Sequence, residues 1–303
     1  MNVDITVEVG TQEQQLAIKS ELKLFLDAIG KELITEINLA GIFVPIDFDT
    51  KVNMLQKSTS YKSSRGNHIA LAKIIDSNPS EKYIVLSPYL YTDQFNLYLR
   101  LHIFSHELYH LINRTRFRIE KYNGTANGRY MANMITLYDE YSANRFSSSL
   151  TNSLVEKEID PQIRDIMKEF FLSTYKGHIM SLQDPCKYYS VFKKEISKFR
   201  FHGDITKFLN NISGLFDEVT KTIIYCFAYA DALPFIHEEF NRIDSVHFID
   251  ENTHNLINKY RNWYLNLSFD FNESLNDIKS FISNFGMVFE DTPQGEYCHV
   301  IDI

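Results

Sequence analysis

One short segment constrains the fold of this chain more than any other, the stretch around His106 and His110 with the pattern H-E-x-x-H. Apolar residues recur there at the three- and four-residue spacing of a buried helix face: Phe104, Leu108, Leu111 and Ile112. On a helix, residues four apart lie on one face with Cβ atoms ~5–6 Å apart. The segment therefore predicts a buried helix whose two imidazoles can converge on one metal ion.

The spacing also separates two chemical roles. Imidazole nitrogens bind zinc at about 2.0–2.1 Å. Glu107 directly follows His106, so it points to the side of the histidine pair and can reach a metal-bound water without being a ligand. A catalytic zinc needs a third protein ligand, and Glu140 on the next predicted helix is the candidate. Asn144 shares the face of Glu140, from where it can hydrogen-bond a ligand histidine.

Two other residues compete for a place in this site. Asp139 precedes Glu140 but projects about 100° around the helix. His102 lies one turn before His106, yet a straight helix separates His102 from His110 by ~12 Å. We therefore interpret His102 as a bystander on a partly buried face. The alternative for the whole segment is a helix whose histidines only satisfy hydrogen bonds in the core, with Glu140 as an ordinary exposed acid.

Charge excludes one class of partner. Among the 303 residues the formal net charge is −8. Residues 1–150 carry 16 Lys and Arg against 16 Asp and Glu, whereas residues 151–303 carry 15 against 23. Because contacts to phosphate need clustered Lys and Arg, we expect no nucleic-acid partner. The shift in charge favours a domain boundary near residue 151 and an acidic second region.

The cysteines, the first residues of the chain and the length of its apolar runs bear on the cellular compartment. The cysteines, Cys186, Cys226 and Cys298, are odd in number and widely spaced, which argues against a disulfide framework. The first residues show no basic start followed by an apolar stretch. The apolar run Ile223–Ala230 is far shorter than the ~20 residues that span a bilayer. We expect a cytoplasmic protein with no membrane partner.

The periodicity of the chain predicts an α+β fold. Extended segments are expected at 41–48, where Pro45 indicates a sheet edge or a loop, and in a hairpin over 68–75 and 82–86 around the turn Asp76–Ser80. Two short strands are expected at 287–290 and 297–301. Helices are predicted over 12–38, 94–113, 129–150, 154–175, 188–199, 204–229, 232–241, 252–267 and 271–284. A small sheet from residues 40–90 is expected to pack on the two motif helices.

The two motif segments resemble the core of the ImmA/IrrE-type zinc metallopeptidases, a gluzincin family with H-E-L-G-H on one helix and E-x-x-A-N-x-F-A on a later one. The matching residues are His106-Glu107-Leu108-Tyr109-His110 and Glu140-Tyr141-Ser142-Ala143-Asn144-Arg145-Phe146-Ser147, with Tyr109 and Ser147 in place of the family's Gly and Ala. The resemblance covers about residues 80–150. It implies a zincin-like metallopeptidase domain over residues 1–150. The resemblance does not extend to residues 151–303, whose own periodicity and charge predict a mostly helical, acidic accessory region with a short C-terminal β-hairpin.

The resemblance also implies residue roles. His106, His110 and Glu140 would bind Zn²⁺, Glu107 would act as general base, and Asn144 would orient a ligand histidine. We therefore expect a zinc-dependent endopeptidase that cleaves a specific cytoplasmic protein, in a regulatory role. Tyr138 and Tyr141 flank the third ligand and are candidates for stabilising the oxyanion.

Two alternative functions stay open. The first is a non-catalytic protein-binding module on a zincin scaffold, in which the acidic second half binds a regulatory protein. The second is a zinc amidohydrolase that acts on a non-peptide amide. Glu107 argues against the first, because metal binding alone does not need it.

Overall fold

The computed structural model describes residues 3–65, 68–78, 81–117, 123–237 and 240–303, and it has the expected α+β composition with a small mixed sheet. The strands are β1 (Asp4–Val7), β2 (Leu39–Val44), β3 (Ser64–Arg65), β4 (His68–Ile69), β5 (Ala72–Asn78), β6 (Glu81–Leu86), β7 (Met287–Thr292) and β8 (Gly295–Val300). The helices are α1 (Gln12–Ile29), α2 (Lys31–Ile37), α3 (Phe48–Gln56), α4 (Leu97–Arg116), α5 (Ala126–Val155), α6 (Pro161–Gln183), α7 (Tyr189–His202), α8 (Ile205–Ala232), α9 (Pro234–His237), α10 (Glu251–Asn266) and α11 (Leu275–Ser283).

The chain divides into two compact units. The first consists of Met1–Arg118 and Phe146–Arg164, and the second of Ile119–Arg145 and Asp165–Ile303. Helix α5 contributes residues to both. The boundary that charge favoured, near residue 151, lies inside α5. The assignment of a domain to residues 1–150 and another to 151–303 stays a prediction.

The sheet of the first unit has the strand order β1-β2-β6-β5. β1, β2 and β6 run parallel, and β5 pairs antiparallel with β6, which confirms the predicted hairpin. Part of its predicted turn, Pro79 and Ser80, lies outside the described residues. Of the two alternatives for the segment with Pro45, the edge strand is wrong, and the loop is correct for Pro45 itself, which follows β2. β2 lies between β1 and β6 and pairs with both. It ends at Val44, so Pro45, which has no amide hydrogen, lies outside the hydrogen-bonded ladder.

Helix α4 positions the histidine pair. It begins at Leu97 because the side chain of Asn96 accepts a hydrogen bond from the Leu99 amide, at 2.9 Å. The helix packs on β5 and β6 and against α1 and α2. Its apolar face is buried, as the spacing predicted: Leu101, Phe104, Leu108, Leu111 and Ile112. The two histidines are therefore on a rigid element of the first unit.

The second unit is mainly helical, and α8 contains its longest buried apolar face. The strands β7 and β8 form the predicted C-terminal hairpin, with Met287 opposite Val300 and Thr292 opposite Gly295. The hydroxyl of Tyr130, on α5, accepts a hydrogen bond of 2.7 Å from the Phe289 amide of β7. The hairpin is therefore tied to the helical core of the same unit.

Some elements differ from the prediction. The expected helix over 12–38 is two helices separated at Gly30, and α6 begins and ends several residues later than predicted. The helix expected over 232–241 is only the short α9, and residues 238 and 239 are outside the described part of the chain. Strand β1 and helix α3 were missed. None of the helices in the described ranges is long and apolar enough to cross a bilayer.

Candidate metal centre

The two motif histidines face each other on α4. Their Nε2 atoms are 3.1 Å apart, and the ring centroids are 4.7 Å apart with the planes nearly perpendicular. His110 is buried and His106 is half-buried. Two ligands that each lie ~2.0–2.1 Å from one ion in tetrahedral geometry are about 3.3 Å apart. The observed separation of the nitrogens therefore fits two ligands of the same ion.

Glu140, on α5, completes the set. One ligand atom from each of His106, His110 and Glu140 lies within 4.8 Å of the others, so this triad can hold a metal ion. Two imidazole nitrogens and one carboxylate oxygen are ligands that zinc accepts, and three protein ligands leave a position open for substrate or water. The donor set therefore fits a zinc site of the catalytic type.

The Glu140 carboxylate is held by two residues of α8 in the second unit. The ammonium of Lys221 lies 2.7 Å from Oε1, and the hydroxyl of Tyr225 donates to Oε2 at 2.7 Å. Lys221 and Tyr225 are four residues apart and so lie on one face of α8. Neither residue was predicted from the sequence to contribute to the site. A signal was present, because Lys221, Tyr225 and Tyr229 place a polar group every four residues along a largely apolar helix.

Asn144 is buried on α5, one turn after Glu140. It forms a side-chain hydrogen bond with Tyr229 of α8. Burial raises the pKa of the Tyr229 phenol, and the hydrogen bond with Asn144 opposes that rise. The predicted contact between Asn144 and a ligand histidine stays a prediction.

The remaining motif residues occupy distinct places. Glu107 is half-buried next to His106, and its role as a general base stays a prediction. Among the described residues, the triad includes neither His102 nor Asp139. Burial lowers the pKa of His102 to about 4, although a backbone hydrogen bond with Ser147 opposes this. His102 is therefore neutral at physiological pH, and its position outside the triad is consistent with its interpretation as a bystander.

The two tyrosines that were candidates for oxyanion stabilisation are core residues of the second unit. The hydroxyl of Tyr141 donates to Asp231 at 2.5 Å, and Tyr138 packs edge-on against Tyr260 and Trp263. Burial, followed by the Asp231 carboxylate, raises the pKa of Tyr141. The Tyr141 phenol therefore stays protonated and serves as a donor to Asp231.

Comparison of the chain with protein-family models, with curated proteins and with solved structures gave no significant match. The resemblance to ImmA/IrrE-type metallopeptidases therefore depends on the two motifs alone. The triad is the structural observation on which a functional proposal can be built.

Proposed function

We propose that this protein is a zinc-dependent endopeptidase. The observation that supports the proposal is the convergence of ligand atoms from His106, His110 and Glu140 within 4.8 Å, with Glu107 adjacent in sequence to the first ligand. These three residues would hold a zinc ion, which would supply a Lewis acid that lowers the pKa of a bound water to about 7 and polarises a carbonyl group.

The proposed role of Glu107 is proton transfer. A carboxylate beside the metal ligands can accept the proton of the attacking water and deliver it to the leaving amine, as a general base and then a general acid. Such transfer contributes typically 10²–10⁴-fold to rate. Helix α4 supports this role because it carries Glu107 and both histidines on one continuous, packed element.

The proposed substrate is a specific protein of the cytoplasm, and the proposed role is regulatory. The excess of acidic residues lies in residues 151–303, where it can restrict access to the site or select a partner with complementary charge. An acidic chain of this kind is a poor binder of nucleic acid.

The first experiment is the zinc content of the purified protein, measured by elemental mass spectrometry beside the Glu140→Ala variant. We expect about one zinc per chain, largely lost in the variant, because the third ligand is removed. A zinc-free wild-type protein that does not take up added zinc would contradict the proposal.

The second experiment tests the chemistry. The zinc-loaded protein is incubated with a peptide library of mixed sequence, and new peptide termini are identified by mass spectrometry. Termini that appear with the wild type and not with Glu107→Gln support peptide hydrolysis. Zinc binding without any cleavage would favour the non-catalytic scaffold, and cleavage of small amide compounds alone would favour an amidohydrolase.

A further inference from the structure

Glu140 has an unusual pair of partners for a metal ligand. Lys221 and Tyr225, one turn apart on α8, bind opposite oxygens of its carboxylate at the same distance of 2.7 Å. The Glu140 side chain is only 12% exposed, whereas that of Lys221 is 41% exposed. The carboxylate is therefore largely desolvated, and the ammonium that compensates its charge is partly in solvent.

Tyr225 and Lys221 have opposite effects on the affinity of Glu140 for a metal cation. A carboxylate has about four lone-pair sites, so hydrogen bonds to both oxygens still leave room for a metal ion. A neutral hydroxyl orients the carboxylate without adding charge, and loss of such a partner typically costs 10–100-fold in metal affinity. An ammonium adds a positive charge beside the ligand, and like charges close together in a partly buried site repel strongly.

We infer that α8 sets the metal affinity of the triad through two positioning residues of opposite effect. Tyr225 strengthens metal binding by orienting Glu140, and Lys221 weakens it as a built-in counter-ion with which the metal must compete. The long, partly exposed side chain of Lys221 can move its ammonium into solvent when a divalent cation takes over the charge of Glu140. The inference rests on the metal site of the proposed function.

The test is the zinc dissociation constant of the whole chain, measured by competition with a chromophoric chelator. We expect Lys221→Met to bind zinc at least 10-fold more tightly than wild type, and Tyr225→Phe to bind it 10–100-fold more weakly. Lys221→Gln provides a second neutral variant if Lys221→Met folds poorly.

The chain offers a matched control. Lys198, on α7, pairs with Glu195 at 2.5 Å, and the side chains are 50% and 11% exposed, close to the values of the Lys221–Glu140 pair. Neither Lys198 nor Glu195 belongs to the triad. Lys198→Met should therefore leave the zinc dissociation constant at the wild-type value, although it removes a similar ion pair.

Thermal stability gives a second readout that does not depend on activity. Without zinc, Lys221→Met removes a positive charge that lies 2.7 Å from the largely desolvated Glu140 carboxylate, so the Tm of the variant should fall. Saturating zinc should then raise the Tm of Lys221→Met by more than it raises that of wild type. Equal gains in both proteins would contradict the role of Lys221.

The outcomes also separate the inference from the proposed function. If wild type binds zinc and Lys221→Met binds it no more tightly, the inference is overturned and the zinc enzyme stands. If Lys221→Met binds zinc and wild type does not, the role of Lys221 is supported. The proposal that the wild-type protein is a zinc enzyme is then contradicted. If neither protein binds zinc, both are overturned.

Discussion

Glu107 and Glu140 both lie near the histidine pair, but they come from different elements. Glu107 follows His106 on the same helix, whereas Glu140 comes from α5 and is held by Lys221 and Tyr225 of α8. Hydrogen-bond partners that hold a ligand side chain orient it toward the metal ion and so raise metal affinity. A proton-transfer group needs access to water. The two partners of Glu140 thus agree with the role of a fixed ligand proposed for it.

The first residue-scale prediction separates these roles. Glu107→Gln should keep the zinc dissociation constant within a few-fold of wild type, because Glu107 lies outside the candidate triad. The same change should lower kcat for peptide cleavage by about 10²–10⁴-fold, because a general base is removed. Chelator competition and steady-state kinetics measure the two quantities. A loss of zinc in Glu107→Gln would instead make Glu107 a ligand and contradict the assignment.

A second residue-scale prediction concerns the ion-pair network of the second unit. Asp231 accepts hydrogen bonds from Tyr141 and from Arg261, at 2.5 and 2.8 Å, and Arg145 lies 3.9 Å away. Asp231→Ala would remove the carboxylate that both arginines face. Because the three side chains are 15–30% exposed, we expect a loss at the lower end of the about 3–5 kcal/mol that breaking a buried pair costs.

Tyr141→Phe is the matched comparison. It removes the hydrogen bond that Tyr141 donates to Asp231 and the one that Tyr141 accepts from Arg145, at 2.5 and 2.8 Å, and it leaves the Arg261–Asp231 pair in place. A hydrogen bond to a charged group contributes about 1.5–3 kcal/mol, and we expect Tyr141→Phe to cost less than Asp231→Ala because both arginines keep the Asp231 carboxylate beside them. The free energy of unfolding in urea measures both changes. Equal losses in the two variants would show that the Arg261–Asp231 pair adds nothing measurable to stability.

At the scale of elements, glycine decides where the first predicted helix divides. Gly30 has φ +101° and separates α1 from α2 in a backbone conformation that side chains rarely adopt. Gly30→Ala should therefore lower the free energy of unfolding by about 1–3 kcal/mol, although the added Cβ meets no atom within 4 Å.

At two other glycines, both inside helices, we expect substitution by alanine to raise the stability of the protein. Gly177 on α6 and Gly214 on α8 are exposed, and a Cβ added at either meets nothing within 4 Å. Gly177→Ala and Gly214→Ala should each stabilise the protein by up to about 1 kcal/mol, because alanine is the better helix former. Thermal or urea unfolding of the three variants tests the contrast. Stabilisation by Gly30→Ala would mean that the helix can continue through that position.

The elements that sequence analysis identified are those with strong local signals. The buried stripe of α4 and the hairpin β5–β6 were identified from helical spacing and from a turn cluster between β-forming runs. Strand β1 has only four residues, and α3 is a short helix with few apolar residues, held by the Asp47 cap and by packing of Phe48 and Val52 on Ile75 and Val85. Such elements owe their stability to tertiary contacts more than to local periodicity.

At the scale of the whole molecule, metal binding should couple to stability. A ligand that binds the folded state alone stabilises it by mass action, by about 2.7 kcal/mol at a concentration 100 times its dissociation constant. The Tm of the wild type should therefore rise with added zinc and return to its original value with EDTA.

The Glu140→Ala variant is the control for this stabilisation. Its Tm should not respond to zinc, because the triad loses one of its three ligands. Differential scanning fluorimetry over a zinc titration measures the effect. A zinc-dependent rise of the same size in Glu140→Ala would place the binding elsewhere in the chain.

The sequence by itself determined the features that depend on neighbours along the chain. The spacing of His106 and His110 on one helix face follows from the geometry of a single helix, and so does the place of Asn144 one turn after Glu140. The same local rules gave the hairpins and most of the long helices. The choice of Glu140 as third ligand came from a motif, and the structure brings that carboxylate to the histidines.

Only the tertiary structure decided which residues hold that carboxylate. Tyr225 and Glu140 are 85 residues apart in sequence, and their contact depends on how α5 and α8 pack within the second unit. The polar groups repeated every four residues on α8 indicated a polar face, but they did not indicate that this face contacts Glu140. The physical reason is that helix periodicity is a property of a short segment, whereas the partner of a buried charge depends on the packing of the folded core.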